Sequence, residues 1–137
     1  MDLGGVYPAL TTPFSADGEV SLADVKYNIE RYNATGIAGF VVLGSTGESV
    51  LLSRSEMDDV LTTVREFRLL EYLASHRGRV LTRDQLLDAV WKETPFVTPR
   101  SIDVYIRRLR EKIERDPRHP QYLKTLRGIG YRFEVPK

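Results

Sequence analysis

Apolar residues recur every three or four positions from Met57 through Val60, Leu61, Val64, Phe67, Leu70 and Leu73 to Ala74. That spacing predicts one amphipathic helix over about residues 53–77, opened by Ser53 with Glu56 three residues on as a capping box. Ahead of it, Leu22, Val25, Ile29 and Tyr32 form a second helical stripe, which opens at Ser21 with Asp24 and stops at Gly36. The stretch GVYPALTTPF reads as a short strand ending in a proline-bounded loop. The continuous apolar run from Phe40 to Leu43 reads as a strand buried on both faces. Strand, helix, strand, helix predicts a parallel pair with a right-handed crossover.

Beyond Glu66 the pattern changes. The long helix ends at Gly78, a short extended piece surrounds Val80 and Leu81, and a further helix runs from Thr82 or Arg83 to Trp91. After the loop KETPFVTP, Thr98 is placed as an N-cap and Pro99 as the first residue of a third helix. At about 100° per residue, Ile102, Ile106, Leu109 and Ile113 share a core-facing side of that helix. Arg100, Val104, Arg107 and Arg108 fall opposite, with Tyr105 and Arg110 on the flanks. Arginines around one small apolar residue suit the DNA major groove, because a guanidinium donates twice to guanine and a valine meets a thymine methyl. The last segment, YLKTLRGIGYRFEV, alternates with period two on both sides of Gly128 and Gly130 and predicts a hairpin. Tyr131, Phe133 and Val135 are expected on one side of it, Arg132 and Glu134 on the other. Helix, helix, basic helix and a hairpin with Arg127 at its tip make a winged helix-turn-helix.

Charge sharpens the division. Residues 1–66 hold 4 Lys+Arg against 10 Asp+Glu, a net −6, whereas residues 67–137 hold 16 against 9, a net +7. The basic part suits a polyanion and the acidic part would repel one. The chain has no cysteine, so disulfides and thiolate chemistry are excluded. His76 and His119 lack partners at metal-ligand spacing, so neither a metal nor another cofactor is expected. The longest apolar stretch, GIAGFVVLG, is far short of a membrane span, and the first residues lack a basic, then apolar, signal pattern. A cytoplasmic protein without a membrane partner is the expectation.

The segments GVYPALTTPF, GFVVLGSTGES and LLSRSE resemble the N-terminal part of the dihydrodipicolinate synthase and N-acetylneuraminate lyase family of class I aldolases. The resemblance implies the first two βα units of a TIM barrel, with Ser45 and Thr46 in the positions that touch substrate carboxylate and proton relay. A whole barrel has eight strands and roughly 250 residues. Its Schiff-base lysine and relay tyrosine come from later strands, and Lys26, on a helix face expected to be solvated, does not replace the lysine. Ser45 and Thr46 are thus a vestigial substrate loop, and no catalysis is expected.

The segments EFRLLEYLASHRGRVLTRDQLL, VTPRSIDVYIRRLREKIE and TLRGIGYRFE resemble the effector domain of OmpR/PhoB-type response regulators, over residues 66–136. The resemblance implies DNA binding in transcription regulation, with the third helix as recognition helix. Val104 and Arg108 would approach bases; Arg100, Tyr105, Arg107 and Arg110 would hold phosphates or flank the groove. Thr125 and Tyr131 would touch backbone phosphates, Arg127 would enter the minor groove, and residues 91–99 match the segment that contacts RNA polymerase. The family's receiver domain and four-stranded N-terminal sheet have no counterpart here.

Taken together, the chain reads as an engineered or recombined chimera of α+β class. Residues 1–65 are a βαβα barrel fragment and residues 66–137 a three-helix winged helix-turn-helix with a C-terminal hairpin, joined through the shared helix. Double-stranded DNA is the expected partner, and the open edges of the two barrel strands offer a pairing site to a second copy. The alternatives are a structural hybrid that has lost DNA binding and, more remotely, residual aldolase-type ligand binding.

Overall fold

The computed structural model describes residues 5–91 and 97–136. They form two compact units, Met1–Val64 and Arg65–Lys137.

In the first unit, helix α1 (Leu22–Asn33) buries Val25 and Ile29. Its N-cap Ser21 accepts the Asp24 N–H and donates its hydroxyl to the Asp24 carboxylate at 2.6 Å. The Ser21 N–H goes instead to Pro13 O, so the capping box is only half of the expected one. Tyr32 meets the edge of Phe40. The parallel pairing is present in its smallest form, one bridge between Ala9 and Val41 flanked by Val41 N–H to Pro8 O and Leu10 N–H to Val41 O.

The Phe40 to Leu43 run is a correction to the expected doubly buried strand. Val41 is 48% exposed, and Leu43 sits at φ 58°. A strand is covered on both faces only when neighbouring layers exist to cover it, and a left-handed residue ends the extended run. GVYPALTTPF likewise contributes bridge residues rather than a strand, with Phe14 paired to Val20 across a turn. The GSTGE segment and the three residues after it make two short 3-10 turns, Ser45–Gly47 and Ser49–Leu51, around Glu48 at φ 52°. Thr12, buried, ties them down by donating to Gly47 O at 2.7 Å.

Helix α2 (Arg54–Ser75) opens on the expected capping box: Ser53 N–H donates to Glu56 Oε2 at 2.7 Å and Glu56 N–H to Ser53 Oγ at 3.3 Å. Its first residues, through Val64, lie in the first unit and the rest in the second.

The second unit continues through β1 (Val80–Thr82), α3 (Arg83–Trp91), α4 (Pro99–Ile113), β2 (Leu123–Leu126) and β3 (Gly130–Phe133). The strands form an antiparallel sheet in the order β1-β3-β2, with Leu81 opposite Tyr131 and Thr125 opposite Tyr131 on the other side. The extended piece around Val80 is thus a third strand beside the hairpin. Val135 lies beyond β3, 61% exposed, so the expected alternation ends at Phe133. One core cluster joins Leu69 and Leu73 of α2, Leu86 and Trp91 of α3, Ile102, Ile106 and Leu109 of α4, and Leu123 and Tyr131 of the hairpin. Fully burying a leucine or isoleucine contributes about 1.5–3 kcal/mol, so this cluster dominates the unit's stability.

Candidate nucleic-acid interface

Helix α4 is positioned by its apolar stripe, because Ile102, Ile106 and Leu109 are buried and the opposite side must then face outward. Pro99 occupies its first turn, where a missing N–H costs nothing. Thr98 stands at the N-cap with extended backbone, but its side chain makes no cap bond; its carbonyl accepts the Ser101 N–H instead.

Arg100, Val104, Arg107 and Arg108 are all exposed on this outer side, Val104 to 53%. Arg107 pairs with Glu111 one turn on, at 3.0 Å, an exposed contact of small energetic weight. The Arg108 guanidinium lies 6.0 Å from the centre of the Tyr105 ring, and Tyr105 packs in turn on buried Trp91 at 4.8 Å. Tyr105 is half-buried, a bridge between the core and the arginines.

On the hairpin, Thr125 and Arg127 are exposed, and Arg127 sits in the tight turn whose Gly128 takes φ 75°. Arg110 joins helix to wing. Its Nε and Nη2 donate to Leu123 O at 3.1 and 2.6 Å, and Nη2 also donates to Thr125 Oγ1 at 2.6 Å. This residue is therefore an internal brace as much as a surface cation.

Tyr131 departs from the expected phosphate contact. It is 4% exposed, and its hydroxyl donates to Asp103 Oδ1 at 2.6 Å. Its only proton is committed inside the domain. Arg83 completes the cluster, donating from Nε to Asp103 Oδ1 at 2.8 Å and from Nη2 to the Tyr131 oxygen at 3.3 Å. Burial and the neighbouring Asp103 carboxylate push the phenol up to about 12. Asp103 thus locks β3 and the start of α3 to α4.

Sequence reasoning missed Asp103 and Arg83, because their link spans 20 positions and no local pattern marks it. It also missed Glu114. This buried carboxylate accepts the N–H groups of Gln121, Tyr122 and Leu123 at 2.7–2.9 Å and so aims the chain from α4 into β2. Glu66, equally buried, is paired with Lys112 of α4.

Ser45 and Thr46 are exposed on the first 3-10 turn. Lys26 makes an exposed pair with Glu30 along α1. Of the segment matched to polymerase contact, Trp91 is buried in the core and Val97 packs against it, while residues 92–96 lie outside the described residues. His76 bonds Tyr72 O and packs at a tilt against its ring; His119 pairs with Asp116 at 2.7 Å. Among the described residues no group of three or more His, Asp or Glu could hold a metal ion, and no helix is long and apolar enough to cross a membrane.

Comparison with known proteins adds two family matches. The dihydrodipicolinate synthetase family matches residues 2–68. The family described as transcriptional regulatory protein, C terminal, matches residues 57–133. Similar solved structures include the response regulator DrrB of Thermotoga maritima, an OmpR/PhoB homolog, 46% identical over 52% of this chain and 32% of its own, with a TM-score of 0.48. The RstA DNA-binding domain of Klebsiella pneumoniae, solved with its RstA box, is 38% identical over 51% of this chain and 69% of its own, with a TM-score of 0.46. The DNA-binding domain of Bacillus subtilis CssR is 35% identical, covering 50% and 73%, with a TM-score of 0.43. The chain thus spans about a third of the length of DrrB. With 77 of its 137 residues matched and the helices and hairpin in place, the protein belongs to the family of transcriptional regulatory protein C-terminal domains.

Proposed function

We propose that this protein is a chimera whose one inherited activity is sequence-selective binding of double-stranded DNA through its winged helix. The observation that carries this reading is the outer side of α4, where Arg100, Arg107 and Arg108 surround the exposed Val104. Val104 and Arg108 read base edges in the major groove; Arg100, Arg107 and Tyr105 hold flanking phosphates; Arg127 reaches the adjacent minor groove. Thr125 and the remaining donors of Arg110 meet the backbone between helix and wing. The match of residues 57–133 to the transcriptional regulatory protein family supports the same partner.

The two family matches overlap only over residues 57–68, inside α2, which supports a fusion within one helix. No enzymatic activity is assigned to the first unit. Lys26 is the only lysine before Lys92, and its exposed pairing with Glu30 places it on the surface of α1. Borohydride trapping in the presence of pyruvate is expected to give no adduct.

The test of DNA binding is a fluorescence-anisotropy titration into direct-repeat and scrambled duplexes at two salt concentrations. Sequence-dependent affinity that weakens steeply with salt is the expected result. Arg108→Ala should cost about 1–3 kcal/mol and relax base preference. A folded protein that binds neither duplex would be a structural hybrid without inherited activity, and equal loss on every sequence for Arg108→Ala would remove its base-reading role.

A further inference from the structure

Where α4 gives way to β2, Arg110, Arg118, His119, Pro120, Lys124 and Thr125 line an open hollow of about 520 Å³. Three of these side chains are permanent cations, while the carboxylate beside them, Asp116, is occupied: it accepts from the Arg118 N–H at 2.9 Å and pairs with His119 at 2.7 Å. The hollow is built rather than accidental. Arg110 is fixed through Leu123 O and Thr125 Oγ1, and Lys124 Nζ is tethered to Pro120 O at 2.7 Å, which leaves the ammonium two further N–H donors. Thr125 accepts from Arg110 and keeps its own proton to donate. Beneath them, Glu114 holds residues 121–123 by three backbone bonds, so the loop's course is set from inside. Guanidinium, ammonium and hydroxyl donors lining one hollow beside a preset loop suit a phosphate, to which arginine offers a planar fork and lysine a point charge.

We infer that this hollow is a further DNA-backbone site, in which Arg118 and Lys124 take a phosphate beyond the stretch that α4 itself covers. The inference rests on the DNA-binding reading, because Arg110 and Thr125 connect the hollow to the outer side of α4. Its contribution is to register and affinity: contacts to phosphate oxygens carry no base information.

The experiment compares Arg118→Ala and Lys124→Ala with Arg68→Ala, an exposed α2 cation outside the hollow, on the direct-repeat and scrambled duplexes. One lost phosphate contact should flatten the salt dependence so that the affinity ratio between roughly 50 and 200 mM salt shrinks about threefold. Arg118→Ala and Lys124→Ala are each expected to show this on both duplexes with the preference between duplexes unchanged, and Arg68→Ala to keep the wild-type ratio. An unchanged salt ratio in Arg118→Ala, or the same change in Arg68→Ala, would overturn the site while wild-type binding stands. If the wild-type protein binds neither duplex, the DNA-binding reading fails and this site falls with it.

Discussion

Gly130 shows what a single residue can forbid. A Cβ at this position would lie 2.0 Å from Leu81 O, where β3 crosses β1. Gly130→Ala should therefore cost at least about 3 kcal/mol in urea unfolding, since backbone and not a flexible side chain must move. Glu114→Ala acts through polarity instead: it strands three loop N–H groups, and a loss of about 3 kcal/mol is expected. Tyr131 gives a pH signature. Its folded-state pKa is raised, to about 12, so the folded state holds the proton longer than the unfolded chain does. That stabilisation is complete below the ordinary tyrosine value near 10 and is lost as pH rises through about 12. Tyr131→Phe should flatten the fall in stability over this window; an unaltered alkaline profile would contradict the coupling to Asp103.

The elements divide by how local their determinants are. Ser53 and Glu56 stand three residues apart and could be recognised from sequence, as could Pro99 and the Gly128 turn. Ser53→Ala should destabilise the protein by about 1 kcal/mol. The Glu56 carboxyl is held below its ordinary value by the Ser53 hydroxyl and N–H, so the cap is complete above that value and weakens as pH falls through the lowered one. A second box, Thr82 with Gln85 at the start of α3, is equally local in sequence. Other features had no local signature. Three residues are too few for β1 to display a period, and its strand identity comes from pairing with β3 some 50 positions away. The Phe40 to Leu43 run misled for the converse reason, since apolarity alone does not supply the neighbours that bury a strand.

At the scale of the molecule, the two units differ in the depth of their cores. Among the described residues the first buries Leu10, Val25, Ile29, Leu52, Val60 and Val64, the second a connected cluster of eleven. Hydrogen exchange should accordingly be slowest in Leu69 to Leu73, α4 and β3, and faster at Leu10 and Val41, with equal protection in both contradicting this ranking. Charge asymmetry and the helix-helix-hairpin pattern made the winged helix legible from sequence; the Asp103, Arg110 and Glu114 bonds that hold helix to wing were not, because they are long-range and polar. The aromatic contact between Trp91 and Tyr105 has an optical consequence. The chain contains one tryptophan, packed against the ring that the Arg108 guanidinium approaches. Its emission therefore reports from directly behind the arginine-bearing side of α4, and occupation of that side can be followed by intrinsic fluorescence, without an attached dye.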